Sequence, residues 1–544
     1  MQRLSLLLLL TFGLLKGFAQ CAEQTEPKVL LVGDSWAWFM NTESTINNVF
    51  KTWGFSNYTF VSNATLAENG AQTDDFQKVD KQTEILNQLT ANPSIEVVHL
   101  SIGGNDFLGD WKVSLSQGAT DTLEDAVFVR LDSVIRFIKT CKPGIRILWS
   151  GYVYPNFGEV IEDLAPFQST NPFYNTWSGM EFPTFIQINS LLNKVSDRME
   201  LYAQNDPQVD FIKCTGLMQY VYGQTSALTV PPGGTYAPYT VPLPEGDPNY
   251  PSPKTTMRDY GFTKDCYHLS TNGYRTLIGY HTQKFYHKFL MDDLYLLTEN
   301  NTENGTVSST GTIDTSMFLG EASGEQFATV LTFNTTTMAD TTLQRASIFL
   351  RRQSVAGGNP VGVGTIQVKI KNGSFGTSST IEAADFTATG DATDNPCVFG
   401  SYGNDGDWVR LDLPASVLSH ITNAAPTQFI ITAPGFTAGK ETFYNSSDPD
   451  FAPVLNLKYG TPPSGIKETP AANFSVYPNP TNGLLTIANS GETITKIEIS
   501  NLLGAVVMQP QVQNTIDISN LPSGTYLLSV TTKKGTSSQR LVKE

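Results

Sequence analysis

The chain is short of several things. Cysteine is rare, five in 544 residues. That is too few for a disulfide scaffold, and the odd count leaves at least one unpaired. Basic residues are outnumbered: 35 Lys and Arg stand against 51 Asp and Glu, a formal net charge of -16. Nucleic-acid phosphates would be repelled by such a surface, so nucleic acid is excluded as a partner. Charged residues of both signs make up only 16% against 40% hydrophobic, which excludes a disordered chain. Histidine occurs five times, with no His-x-x-x-His and no paired Cys-x-x-Cys, so neither a metal nor another cofactor is expected. Beyond the start, no run reaches the roughly 18 apolar residues that a membrane span needs.

What is present begins with "MQRLSLLLLLTFGLLKGFAQCAEQ", one Arg, an apolar run, then small residues at Gly17 and Ala19. This reads as a secretory signal peptide over 1–19, cut after Ala19. A lipid anchor on Cys21 ranks second, because Gln20 fits poorly before a lipidated cysteine. At this length, two to four domains are expected. Two polar or Pro-rich stretches read as linkers, 298–312 and 460–473.

The part from 28 to 297 alternates strand and helix patterns. "KVLLVG", "EVVHLSIGG", "IRILWSGYV" and "VDFIKC" are apolar runs without polar alternation. Between them, Leu131, Val134, Ile135 and Ile138 fall on one helix face, and "PTFIQINSLLNKVSDRMELYAQ" is a second helix. The pattern predicts an α/β fold, a doubly wound parallel sheet in three layers, with ligands outside the carboxyl ends of its strands. The part from 313 to 459 changes to short alternating strands such as "DWVRLDL" and reads as a β-sandwich. Residues 474–544 read as a second all-β sandwich.

Three loop positions carry chemistry. "GDS" ends the first strand at Ser35, where Asp34 or Ser35 could equally be a helix cap. "GGND" ends another at Asn105. "DCYH" places Asp265 three residues before His268, ahead of a helix whose cap is Ser270. Each alone reads as a turn or cap. Together they supply a nucleophile, a base, a carboxylate to orient the base, and donors for an oxyanion. A Gly-x-Ser-x-Gly elbow is missing, so an α/β-hydrolase arrangement is not supported.

These blocks, with "NGAQTDDF" at 69–76, make 28–297 resemble the SGNH or GDSL-type serine hydrolases. The resemblance implies Ser35 as nucleophile, His268 as base and Asp265 as its orienter. The Ser35 and Gly70 amides and the Asn105 side chain would form the oxyanion hole. Trp36 stands where smaller residues are common in that family; with Phe39 and Met40 it has the spacing of a buried helix face. "YPNPTNG" at 477–483, "LPSGTYLLSV" at 521–530 and the basic end resemble the C-terminal sorting domain of type IX secretion. That implies the secretion machinery as a partner and a secreted or cell-surface location. The middle part resembles sandwich modules beside polysaccharide-active enzymes, with Trp408 as a sugar platform or, in the plainer reading, a sheet cover.

The resulting expectation is a secreted serine esterase working through an acyl-enzyme, on short-acyl or acetylated glycan esters. The alternatives are a lipase or lysophospholipase-type esterase, and a non-enzymatic adhesin on a degenerate hydrolase fold. Two further expectations are specific. The long Tyr, Pro and Gly insert between Cys214 and Asp265, with Tyr222, Tyr236, Tyr239, Tyr250 and Tyr260, should wall the cleft. Cys214 and Cys266 are either bridged or two buried thiols.

Overall fold

The computed structural model describes residues 23–298, 300–401, 403–460, 474–489, 493–501, 506–532 and 535–544. The signal-peptide stretch and 461–473 of the second linker lie outside them. The chain forms two compact units, 1–458 and 459–544.

The first unit is built on five parallel strands: β1 (Glu26–Gly33), β2 (Tyr58–Val61), β3 (Val97–Ser101), β4 (Arg146–Ser150) and β5 (Val209–Ile212), in the order β2-β1-β3-β4-β5. Four of them are the apolar runs seen in the sequence. β1 shows why such a run has no polar alternation. Val29 and Leu31 belong to the core on one face of the sheet, Leu30 and Val32 to the core on the other, and all four are fully buried. Helices cover both faces. Gln117–Cys141 is capped by the Ser116 hydroxyl, which accepts from Ala119 N at 3.2 Å, and buries Val127, Leu131, Val134, Ile135 and Ile138. Phe185–Gln204 starts with Gln187 Oε1 accepting from Thr184 N at 2.9 Å.

The strand order reverses between β1 and β3, so the crevice of a doubly wound sheet opens beyond their carboxyl ends. Gly33 closes β1 because nothing larger fits: a Cβ there would lie 1.9 Å from the Ser101 carbonyl oxygen.

The rest of the first unit is mostly antiparallel. The middle strands read from the sequence are present, among them Glu325–Phe333, Gln367–Asn372, Trp408–Asp412 and Thr427–Thr432. Two expectations need correction. The stretch 298–312 is not simply a linker, because Gly305–Ser308 is a buried strand paired with Glu325–Phe333. Its polar composition is compatible with burial because its hydroxyls are bonded, Thr306 Oγ1 to the Ser316 carbonyl at 2.7 Å. The other is Trp408 as a sugar platform. Trp408 is 1% exposed and stacks on Trp53 with ring centres 5.8 Å apart. Arg410 donates to Asn57 Oδ1 at 2.6 Å and to the Gly54 carbonyl at 3.0 Å. The antiparallel region thus shares a core with the parallel-sheet part, and Trp408 covers a face and offers no sugar platform.

The second unit is a small two-sheet β structure. One sheet orders Phe474–Tyr477, Leu484–Asn489 and Thr515–Asp517; the other orders Val506–Met508, Ile494–Ser500, Gly524–Thr532 and Gly535–Lys543. Leu485, Ile497, Ile499, Ile516, Leu528 and Leu541 fill its core.

Candidate active site

Ser35 is the first residue of the helix Ser35–Thr42, directly after β1. The capping question resolves in favour of its neighbour: Asp34 Oδ1 accepts from Trp36 N at 2.9 Å. That leaves the Ser35 hydroxyl free for another partner. Asp265 and His268 lie in a strand, β7 (Thr263–Leu269), hydrogen-bonded to β6 (Met257–Tyr260), and not in the loop expected from the sequence. The helix Thr271–His281 follows, with Ser270 Oγ accepting from Gly273 N at 3.2 Å as expected.

These elements meet in one line of hydrogen bonds. His268 Nε2 is 2.7 Å from Ser35 Oγ, and His268 Nδ1 is 2.7 Å from Asp265 Oδ2. A carboxylate only accepts, so Nδ1 carries the proton and Nε2 is left to accept from the serine hydroxyl. The other Asp265 oxygen accepts from the backbone N–H of Tyr267 at 2.9 Å and of His268 at 2.8 Å, which fixes its orientation. All three side chains are buried. The rings of Tyr267, Phe39 and Phe173 surround the imidazole, their centres 4.4, 4.9 and 6.1 Å away.

Gly70 and Asn105 belong to two segments that are stapled together. Asn105 Nδ2 donates to the Ala71 carbonyl at 3.0 Å, and Gln72 Nε2 donates to the Asn105 carbonyl at 3.2 Å. Below them the buried Asp106 accepts from Thr73 Oγ1 at 2.6 Å and from Arg130 Nη2 at 2.9 Å. Gly70 has φ +83°, which a residue with a side chain rarely adopts.

Tyr152 is a residue the sequence reading passed over. Its hydroxyl donates to Asp34 Oδ2 at 2.5 Å and accepts from Gly104 N at 3.1 Å, linking the serine turn to the glycine turn. Burial pushes the Asp34 carboxyl up to about 6, against the pull of its bonds to Tyr152 and Trp36 N. Trp36 and Met40 are buried in the core, as their spacing suggested, while Phe39 is only partly buried.

The insert between Cys214 and Asp265 does not wall the cavity beside Ser35; none of its residues lines that cavity. Gln219 holds it instead, donating to the carbonyls of Tyr250 and Asp247 at 2.7 and 3.0 Å. Tyr236 and Tyr250 pack edge to face at 5.1 Å, and Tyr222 bonds Thr276 Oγ1 at 2.8 Å. Tyr260 comes near the site, 6.0 Å from the Phe173 ring, and Arg258 lies 4.0 Å over the Phe39 ring. Cys214 and Cys266 are two buried free thiols. They face different cores, which is why they do not meet, and burial pushes the Cys214 thiol up to about 12.

Residues 475–544 match the model of the secretion system C-terminal sorting domain. This domain marks the chain for export through type IX secretion to the cell surface or the extracellular space. Among the described residues no helix is long and apolar enough to cross a membrane. No curated protein matches the chain. Similar solved structures include a carbohydrate esterase family 3 protein from Talaromyces cellulolyticus, 11% identical, with a TM-score of 0.28 over 48% of this chain and 96% of that one. They also include a family 3 carbohydrate esterase from Clostridium thermocellum, 17% identical, TM-score 0.26, covering 48% and 94%. A GDSL-like lipase from Bacteroides thetaiotaomicron is 16% identical, TM-score 0.26, covering 47% and 86%.

Proposed function

We propose that the chain is an exported serine esterase that hydrolyses short-acyl carboxylic esters through an acyl-enzyme. One observation carries the reading: the unbroken Asp265, His268, Ser35 hydrogen-bond line at the carboxyl edge of β1. Ser35 Oγ attacks the ester carbonyl carbon while its proton passes to His268 Nε2. Asp265 stabilises the imidazolium and keeps the ring in place. The oxyanion is held by the Ser35 and Gly70 amides and by Asn105 Nδ2. Collapse breaks the bond to the alcohol oxygen, which leaves with the proton from Nε2. Water then repeats the sequence on the acyl-enzyme and frees the acid.

The acetylated-glycan part of the expectation keeps export to the cell surface as its one remaining support, since Trp408 is buried and Tyr236 and Tyr250 pack on each other. The reading proposed here therefore commits to the acyl half of the ester alone. The test is labelling of the purified chain by a fluorophosphonate, followed by peptide mapping. A label on Ser35 that His268→Ala prevents is the expected result. An unlabelled chain that also leaves esters intact would favour the adhesin alternative.

A further inference from the structure

A cavity of about 100 Å³ opens beside Ser35. Ser35, Gly103, Gly104, Asn105 and Tyr267 line one part of it. Most of the remaining lining is apolar. Ile188, Leu191, Val195 and Met199 line it from the helix Phe185–Gln204, at spacings of three and four residues, so one stripe of that helix faces it. Leu131 faces it from the helix Gln117–Cys141. The polar side chains at its edge are already committed, since Asp34 and Tyr152 are bonded to each other.

A cavity within a core weakens a fold, and this one is lined by Ser35 itself. We infer that it takes the acyl chain, and that it fits chains of four to six carbons better than acetyl. This rests on the esterase reading above and deepens it. Size sets the range. An apolar cavity of about 150 Å³ takes benzene, with six carbons. The present one takes roughly four carbons beyond the carbonyl. Acetyl leaves it unfilled, and a ten-carbon chain exceeds it. Until the cavity is filled, each added methylene raises kcat/KM roughly fourfold.

The test is a series of p-nitrophenyl esters from acetate to decanoate, hydrolysed by the purified full chain. Butanoate should exceed acetate by roughly 15-fold in kcat/KM, and decanoate should fall below hexanoate. Val195→Phe, which fills the cavity, should bring the butanoate-to-acetate and hexanoate-to-acetate ratios of kcat/KM down to near one. Met199→Ala should move the optimum to longer chains, and decides the matter if the larger side chain at 195 prevents folding. A small fluorophosphonate applied to each variant reports whether Ser35 remains reactive. Ser35 labelled, with acetate equal to butanoate or with decanoate preferred to hexanoate, would overturn the cavity assignment and leave the esterase standing. No label and no hydrolysis of any ester would bring down the esterase reading, and this inference with it.

Discussion

Two buried histidine regions sit in the same unit and are treated in opposite ways. At the carboxyl edge of the sheet, His268 has a partner at each nitrogen. Around β3 and the end of the helix Thr271–His281, His281 has no hydrogen-bond partner among the described residues at either nitrogen, and His99 has Tyr286 Oη alone among them, at 2.8 Å. His287, further along, has no partner for Nε2 among the described residues and packs against Trp408. Burial holds His281 and His287 at about 3 and His99 well below its usual value. They behave as neutral ring fillers. The contrast teaches that burial of an imidazole says nothing by itself; the carboxylate behind it and the hydroxyl in front of it set the proposed base apart from a packed ring.

The strongest way to break the comparison is to remove one end of the partnered line. Ser35→Ala or His268→Ala should lower kcat by roughly four to six orders of magnitude, with the circular dichroism spectrum retained. An active His268→Ala chain would place His268 among the fillers.

The fillers are probed by acid. A folded-state value below the unfolded one gives stability that is present above about 6.5 and lost as pH falls towards 3. Each of His281 and His287 stands to lose up to about 5 kcal/mol across that window. His281→Leu should therefore flatten the fall in unfolding free energy, measured by urea denaturation between pH 7 and pH 4. Equal pH dependence in the two chains would contradict the neutral-ring account.

Asn105→Ala should lower kcat by roughly 10² to 10³ with little change in KM, as expected for a donor acting on the oxyanion. Steady-state kinetics on a butanoate ester gives the split.

Asp34 has the opposite sign from the fillers. Its folded-state value is raised, so its contribution is full below 3.8 and lost as pH rises through about 6. Relative to Asp34→Asn, the native chain should lose on the order of 3 kcal/mol over that rise, read from the same denaturation curves. At the foot of the scale, removal of 474–544 should leave specific activity unchanged and stop export, measured in purified protein and in fractionated cells.

Much of the site is readable in the sequence because its chemistry needs particular residue types at fixed offsets. Ser35 after a strand, Asn105 after two glycines, and Asp265 three before His268 are such signals. Tyr152 is not, since one tyrosine among 21 has no spacing to mark it, and its role exists only once β4 lies beside β3. Asp106, Thr73 and Arg130 are likewise joined only by folding. In the fold, the long apolar strands announce themselves, while Tyr58–Val61 does not: it is a four-residue edge strand of mixed pattern, buried mainly at its first residue. The tyrosine insert misled because aromatic composition does not tell whether rings face a ligand or each other.

Arg410 bears on how this protein comes apart. Its guanidinium is enclosed by Gly54 and Asn57 from the parallel-sheet part and by Asp412 from its own strand. Separating the two regions would strand that cation in a seam with Trp53 and Phe349 laid bare. Neither region is then an exchangeable cassette. Residues 23–458 should melt as one calorimetric transition, and a gene cut at 297 should yield insoluble product, so the antiparallel region is best regarded as the parallel sheet's own foundation and not as an accessory attached to it.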